Sequence, residues 1–538
     1  MGPHNARSAL PAGAAARFCD MTVPDIIYAI DSPAVARDTL RELAAHFRTR
    51  RHGPPAMLRT YYDTFDWRLY KDSGTLSAAE QNGSWVLRWS DLDGRMRHRA
   101  TTESVPEFAR DLGESPFRCD LARVTDIRRL LPVVRVESRG DTVSVLDRRD
   151  KTVTRVHFER GTAAGEASSP KRRMPHRIRV ESLAGYGDAH ASVIRFLGQR
   201  SGLARHEGGE LSLALRAIGC RPAAYSSKMD LNFEPGLRAD DAAKRILGKL
   251  LEIMQANDDG VRRDLDPEFL HDFRVAGRRT RSCLGQVKGV FGAELMRRFQ
   301  EEFAWLGSLT GPTRDLDVYL LKFEGYRADL PESLWSDLDP LEQQLRQRQV
   351  TEHGRLSREL DSKRYKALIR DWSKFLRSTD HANDADAPNA SRPVREVAAE
   401  RIGRAYARVH KVGKGLAKDT PPELVHQLRI DCKKLRYLLE FFGGLFDREG
   451  VKSIVGLLKK LQDDLGDFND LRVHQDELGV MAGNMMKNDQ AGSGTLLAMG
   501  RLVEQLDSRQ KRLTSRLLKN VKAFAGDKSR SELHKLVR

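Results

Sequence analysis

The sequence predicts a multidomain protein, with an N-terminal α+β domain of mostly antiparallel strands and a C-terminal all-α domain made of two pseudo-symmetric halves. Between Met21 and Gly219, short runs of alternating apolar and polar residues are typical of half-buried strands. Beyond Gly236 the apolar residues recur at helical spacing, and one helical segment occurs twice. A length of 538 residues also exceeds what a single core usually holds.

Turn signals of glycine and aspartate separate the predicted elements of the first domain. The predicted strands are Ser84–Trp89, Val133–Val136, Thr142–Leu146, Thr152–Phe158 and Arg177–Glu181. The helices are expected at Pro33–Phe47 and Ala189–Gly198, and a loop at Gly161–Arg173.

Composition shifts place the domain boundaries, since polar stretches rich in proline and glycine mark linkers and loops. In chain order we predict a disordered leader (1–20), the α+β domain (21–222), a linker (223–236) and the helical domain (237–538), whose halves at about 237–378 and 394–538 are joined by a mobile loop (379–393).

The charge balance predicts an anionic partner. The net charge is +17 and the isoelectric point is about 9.7. Such a protein attracts nucleic acid, anionic membrane surfaces or polyphosphate, and the balance alone does not choose among them.

Cysteine use and the N-terminus predict a soluble cytoplasmic protein. The five cysteines are scattered and form no C-x-x-C pair, which favours reduced thiols over disulfides or zinc. No segment is long and apolar enough for a signal peptide or a membrane span. Because no P-loop or other cofactor motif occurs in a sensible context, we expect no cofactor.

The internal repeat is the strongest feature of the helical region. The segment that begins at His271 aligns without a gap with the segment that begins at His426, an offset of 426 − 271 = 155 residues. The same offset places Gly311 on Gly466 and Asp315 on Asp470. A register held over so many positions indicates two halves of similar build.

Each repeated segment predicts a helix with one cationic face. On a helix, His271, Arg274, Arg278 and Arg281 fall at i, i+3, i+7 and i+10, within one narrow stripe. The second copy places His426, Arg429, Lys433 and Arg436 in the same way. Apolar residues fill the opposite side of both helices, which is expected to face the core.

Most charged helix faces are merely solvated, but two observations favour binding here. We expect no acidic residue on either stripe, and like charges at i, i+4 repel one another unless an anion compensates them. The stripes also occupy equivalent positions of a duplicated unit, so they are expected to face each other across a groove.

The two histidines admit two interpretations. With Asp315 and Asp470 they would make a metal site, but the surrounding cations oppose a divalent ion. We therefore predict no metal site and expect the imidazoles to contact phosphate oxygen. The two aspartates are expected to orient arginine or histidine side chains.

The doubled H-x-x-R-V-x-x-R-R-x-R and H-x-x-R-I-x-x-K-K-L-R-Y segments, with the G-x-x-x-D stretches after them, resemble the CHAD domain. The resemblance covers about residues 237–538 and implies two bundles of about four helices each, with polyphosphate bound along a basic central channel. The contacts that it implies are His271, Arg274, Arg278, Arg279, Arg281, His426, Arg429, Lys433, Lys434 and Arg436, with Arg314 and Lys459 supported only by their flanking motifs.

The first domain resembles a degenerate CYTH domain, a tunnel-shaped or barrel-like fold that acts on triphosphates. The resemblance rests on the Y-x-D-T segment at Tyr61–Thr64 and on the W-x-L segment at Trp85–Leu87. The metal-binding E-x-E-x-K motif of that family is absent. Its basic positions read Ser77, Ala79 and Ser90 here. Because catalysis on phosphate chains needs metal and cations, we predict that the protein is not an enzyme.

The function that these features predict is binding of inorganic polyphosphate, with association with polyphosphate granules. The alternative is a metal-dependent triphosphatase or polyphosphatase in the first domain. Nucleic-acid binding is weaker, because aromatic residues for base stacking are not interleaved with the stripes.

Overall fold

The computed structural model describes residues 25–53, 56–165, 169–379, 385–417 and 420–537. The predicted leader and residues 380–384 of the predicted loop lie outside these ranges. The chain divides between Tyr225 and Ser226 into two compact units.

In the described part of the N-terminal unit, one antiparallel sheet contains eleven strands, accompanied by five α-helices. The strands are β1 (Ile26–Ile30), β2 (Thr49–His52), β3 (Ala56–Asp63), β4 (Gly74–Gln81), β5 (Ser84–Asp91), β6 (Met96–Thr102), β7 (Leu131–Leu146), β8 (Thr152–Ala164), β9 (Arg172–Arg173), β10 (His176–Ser182) and β11 (Leu203–His206). The helices are α1 (Pro33–His46), α2 (Arg68–Lys71), α3 (Pro116–Thr125), α4 (Gly187–Gly198) and α5 (Gly209–Ile218). The strand order is β11-β1-β10-β8-β7-β3-β4-β5-β6, with β2 paired to β7 and β9 to β8.

The antiparallel α+β prediction is confirmed, with two local corrections. The two strands predicted at Val133–Val136 and Thr142–Leu146 are one strand, β7. Gly140 is not a turn residue but a point of close approach, because a Cβ there would lie 1.7 Å from the carbonyl oxygen of Phe158. The loop predicted at Gly161–Arg173 is shorter, since β8 extends to Ala164 and β9 pairs with it.

Strand alternation gives this sheet one apolar face and one charged face. In β10, Ile178 and Val180 are fully buried in a core with Val193 and Leu197 of α4. The intervening Arg177, Arg179 and Glu181 therefore lie on the other face of the strand. The same alternation in β3, β5 and β8 gathers charged side chains there.

The C-terminal unit is all-helical in its described residues. Its α-helices are α6 (Ala239–Arg262), α7 (Pro267–Gln286), α8 (Ala293–Ala328), α9 (Asp339–Leu360), α10 (Lys363–Arg377), α11 (Val394–Lys414), α12 (Pro422–Phe442), α13 (Arg448–Lys487), α14 (Ser493–Phe524) and α15 (Asp527–Val537). No described helix is both long and apolar enough to span a membrane.

The predicted bounds of the two halves enclose α6–α10 and α11–α15, so among the described residues each half has five α-helices, where the resemblance implied about four. Helix α7 begins at a proline after Asp266, whose carboxylate accepts a hydrogen bond from the backbone of Glu268 and so caps the helix. The apolar sides of α7 and α12 are buried, as Phe273 and Leu435 illustrate. That burial leaves the cationic sides of both helices outside the core.

Candidate functional site

Two helix crossings are among the contacts that join the halves of the helical unit. At the first crossing, between α7 and α12, Arg278 Nε donates to the hydroxyl of Tyr437 at 2.9 Å. At the second, between α8 and α13, the rings of Tyr319 and His474 lie 4.4 Å apart. Because 474 − 319 = 155, these two rings occupy equivalent positions, as expected where a pseudo-twofold axis passes.

Arg278 and Lys433, also equivalent by the offset of 155, are close enough for their charges to interact. Burial, together with the charges of Arg278, Arg429 and Arg436, lowers the pKa of Lys433 to about 7. The charge of Arg278 also depresses the pKa of Arg429, behind burial as the larger cause. The two stripes therefore belong to one electrostatic site.

Arg274 lies across α8, where small residues make room for it. Its Nη1 donates to the carbonyl of Gly307 at 3.2 Å and to the hydroxyl of Thr310 at 3.0 Å. A Cβ at Gly311 would lie 3.5 Å from this Nη1, and a Cβ at Gly307 would lie only 3.1 Å from the Nη1 of Arg281. Burial, against the attraction of Asp315, lowers the pKa of Arg274 to about 10. Arg278 and Arg281 are exposed.

The two histidines have different partners in the two halves. Arg314 donates to His271 Nδ1 at 3.0 Å and to the carbonyl of Pro267 at 3.0 Å. His426 Nδ1 is instead 3.1 Å from Asn469 Oδ1, to which it donates. Asn469 is the repeat equivalent of Arg314, since 469 − 314 = 155. His271 thus carries its proton on Nε2, whereas neutral His426 carries it on Nδ1.

Asp470 connects the two crossings. It pairs with Lys322 at 3.0 Å and lies 4.0 Å from Arg429. Burial raises the pKa of its equivalent, Asp315, and the negative charge of Asp470 adds to that effect. Within the described ranges no group of three or more histidine, cysteine, aspartate or glutamate side chains is placed to hold a metal ion.

Of the predicted contact residues, Arg279, Lys434 and Arg436 are paired with carboxylates. Glu440 binds Arg279 at 2.6 Å and Arg436 at 3.2 Å, and buried Asp431 lies 3.6 Å from Lys434. The expectation that the stripes lack acids is therefore wrong at Glu440, which lies one turn after Arg436. Lys459 is exposed on α13, about 16 Å along the helix from Asp470.

A second group of charges lines a cavity of about 550 Å³ in the N-terminal unit. Arg59 comes from β3, Arg88 from β5, Arg99 from β6, and Arg155 and Arg179 from β8 and β10. These residues were not predicted from the sequence, although charged and apolar residues alternate visibly in β10.

Residues 245–479 match the family described as the CHAD domain. This part of the chain is a CHAD domain. It extends from within α6 to within α13, and it includes all twelve cationic and histidine positions predicted as contacts.

Three solved structures are similar to parts of this chain. A CHAD domain from the plant Ricinus communis has a TM-score of 0.47 and 24% identity, covering 56% of this chain and 96% of its own. PptA from Streptomyces chartreusis has a TM-score of 0.40 and 17% identity, covering 53% and 99%. HpAC1 from Hippeastrum, a putative adenylyl cyclase, has a TM-score of 0.24 and 13% identity, covering 38% and 99%. No curated protein is similar enough to count as a relative.

HpAC1 is described as having a dominant triphosphatase activity. That finding contradicts the prediction that the present chain is not an enzyme, so this prediction is wrong. Its physical basis was also incomplete. Ser77 and Ser90 do replace basic motif residues, yet they line the same cavity as six arginines from other strand positions, so the cavity has not lost its cations.

Proposed function

We propose that the CHAD domain binds inorganic polyphosphate along the cationic faces of α7 and α12. The observation that carries the proposal is the hydrogen bond from Arg278 of α7 to Tyr437 of α12, which brings Arg278 close enough to its repeat equivalent Lys433 for their positive charges to repel one another. Such repulsion is relieved when an anion binds between the two charges.

The other cations at the site extend this surface in both halves. Arg274 and Arg429 stand one turn before Arg278 and Lys433, so each half offers cations at successive turns of one helix face. Guanidinium and ammonium groups form charge-assisted hydrogen bonds with phosphate oxygens, and a linear polyanion engages several of them together. Association with polyphosphate granules would follow from such binding.

Nucleic acid is the weaker ligand on structural grounds. Binding of a single strand depends on aromatic rings that stack on exposed bases. Tyr437 follows the second stripe directly, but its ring is buried and its hydroxyl accepts the hydrogen bond from Arg278. It is therefore not placed to stack on a base.

A competition measurement tests the proposal. Long-chain polyphosphate should displace labelled polyphosphate from the purified protein far better than DNA, RNA or ATP at equal phosphate concentration. The double variant R278Q/K433Q should lose most of this binding. Its matched control, R297Q/K460Q, changes the same residue types at exposed positions of α8 and α13 and should bind normally. Equal binding by both double variants would refute the proposal.

Hydrolysis of phosphate chains in the N-terminal unit is the alternative function. The charged cavity favours a phosphate ligand there, but the described carboxylates do not favour a metal-dependent reaction, because each one that lines the cavity is engaged by arginine. A phosphate-release assay on triphosphate, with and without magnesium or manganese, measures this activity directly.

A further inference from the structure

Arg88 and Arg99 lie directly opposite each other on β5 and β6 of the N-terminal unit. Like charges at directly opposed strand positions are destabilising. Neither arginine forms an ion pair with a described carboxylate. Both line the cavity, which Thr75, Ser77 and Ser90 also line. The hydroxyls of Thr75 and Ser90 make only long hydrogen bonds, to the carbonyl of Ser90 at 3.5 Å and to the sulfur of Met96 at 3.7 Å, which a phosphate oxygen can replace. The sheet thus holds two cations without an ion-pair partner among the described carboxylates, beside three hydroxyl-bearing residues.

The surroundings of Arg88 further disfavour its positive charge. Burial lowers the pKa of Arg88, and the charges of Arg59 and Arg99 lower it further. Glu181 and Asp25 act in the opposite direction without cancelling the effect. An anion in the cavity would remove the penalty on both arginines.

The carboxylates of the cavity are already engaged. Glu210 accepts hydrogen bonds from Arg59 at 2.8 Å, from Tyr61 at 2.8 Å and from Arg177 at 2.5 Å. Burial would raise the pKa of Glu210, but the nearby guanidinium groups outweigh burial and hold it well below its usual value. This carboxylate therefore stays ionised and paired.

The remaining acids of the cavity are held in the same way. Asp25 pairs with Arg179 at 3.2 Å, and Asp91 pairs with Arg97. Glu181 contacts His157 at 3.0 Å and Arg155 at 3.4 Å. Divalent cations that bridge phosphates need carboxylate oxygens free to coordinate them. The described residues therefore do not fit a bridging metal.

We infer that this cavity binds a short phosphate-type oligoanion through arginine side chains and hydroxyl groups, without a bridging divalent cation. Guanidinium groups suit this role, because they present paired donors to phosphate oxygens and keep their charge at any physiological pH. The inference is independent of polyphosphate binding by the CHAD domain.

Inorganic tripolyphosphate is the probe, and calorimetric titration is the measurement. The full-length chain carrying R278Q/K433Q serves as the parent, so that the CHAD site contributes little. We expect the parent to bind one tripolyphosphate in EDTA. Magnesium, which complexes the probe in solution, should weaken this binding and should not be required for it. Adding R88Q/R99Q should weaken binding at least tenfold. Phosphate release is followed in parallel, so that turnover of the probe does not distort the titration.

The control substitution is R50Q, on the exposed face of β2 and away from the cavity, which should leave the affinity unchanged. Without ligand, R88Q/R99Q should unfold at the parent's temperature or higher, because a like-charge pair is removed. The variant R88K/R99K keeps the charge and should recover part of the affinity. Binding that requires magnesium would overturn the inference. So would no binding in either buffer, or equal affinity of R88Q/R99Q and R50Q.

Discussion

The Nε of Arg278 in one half of the CHAD domain donates a hydrogen bond to the hydroxyl of Tyr437 in the other half. Tyr437 follows directly after Arg436, so the contact ties the first stripe to the end of the second. It places the guanidinium of Arg278 near Lys433 and Arg429, whose pKa values it lowers. The two stripes should consequently act as one site.

The first prediction tests whether the two stripes form a single binding site. R278Q and K433Q should each weaken the binding of long-chain polyphosphate while leaving the stoichiometry at one chain per protein. Each lost phosphate contact should flatten the dependence of log K on log salt by about 0.7. Fluorescence anisotropy between low and physiological salt measures both quantities. Two independent binding events, one abolished by each variant, would show that the stripes are separate.

The second prediction concerns pH. Since the pKa of Lys433 is about 7 in the free protein, this side chain is only partly protonated at neutral pH. A bound polyanion favours the protonated form, so binding should strengthen as pH falls from 8 to 6 and should take up protons. K433R keeps a charge across this range and should lose most of the dependence. Calorimetry in buffers of different ionisation enthalpy measures the protons taken up.

In the absence of ligand, the effect of Lys433 on stability has the opposite sign. Between pH 7 and the ordinary lysine pKa of 10.5, the unfolded chain binds more protons at this residue than the folded chain. The contribution of Lys433 to the free energy of unfolding therefore rises with pH over that window. Urea unfolding of the wild type and K433Q should converge as the pH increases. A constant difference between them would argue against the depressed pKa.

The helical periodicity predicted α7, α12 and their cationic faces because a fixed spacing on a helix determines which side chains share a side. It did not reveal Glu440, which lies beyond the last repeated residue and competes for Arg279 and Arg436. Nor did it reveal the hydrogen bond between Asn469 and His426, because the second repeat has Asn469 where the first repeat has Arg314. Contacts between distant helices depend on the packing of the whole unit, which a local pattern does not contain.

The third prediction follows from the different partners of the two histidines. His271 accepts from Arg314 at Nδ1 and therefore carries its donor at Nε2, whereas neutral His426 uses its Nδ1 donor on Asn469 and presents an acceptor at Nε2. Because a phosphate oxygen accepts hydrogen bonds, H271Q should weaken polyphosphate binding more than H426Q does, as competition titration at one pH measures. Equal losses in the two variants would contradict the assigned tautomers.

In the N-terminal unit, the sequence predicted the antiparallel strands better than their charged face. Because Ser77, Ala79 and Ser90 occupy positions that are basic in the resembled family, the sequence suggested a cavity without cations. The alternation of Arg177, Arg179 and Glu181 with Ile178 and Val180 carried the opposite information, since alternate residues of a strand share a face. Which strands bring their charged faces together depends on sheet order, and that order is a long-range property.

The fourth prediction concerns the stability of that charged face. In E210Q, the amide keeps one accepting oxygen but turns a donor toward the guanidinium groups of Arg59 or Arg177. Because Arg177 is fully buried, leaving it partly unpaired should cost about 3–5 kcal/mol in the free energy of unfolding. The control E137Q breaks half-exposed pairs with Lys171 and Arg139 and should change stability little.

The acid dependence gives E210Q a second signature. The folded-state pKa of Glu210 lies below its ordinary value of 4.5, so its stabilising contribution is complete above pH 4.5 and declines as the pH falls below it. The wild type should therefore lose its advantage over E210Q in acid, whereas the two should differ by a constant amount between pH 5 and 8. Thermal unfolding of the N-terminal transition measures this difference. A gap as large at pH 3 as at pH 7 would mean that Glu210 stabilises the sheet by packing and not by its charge.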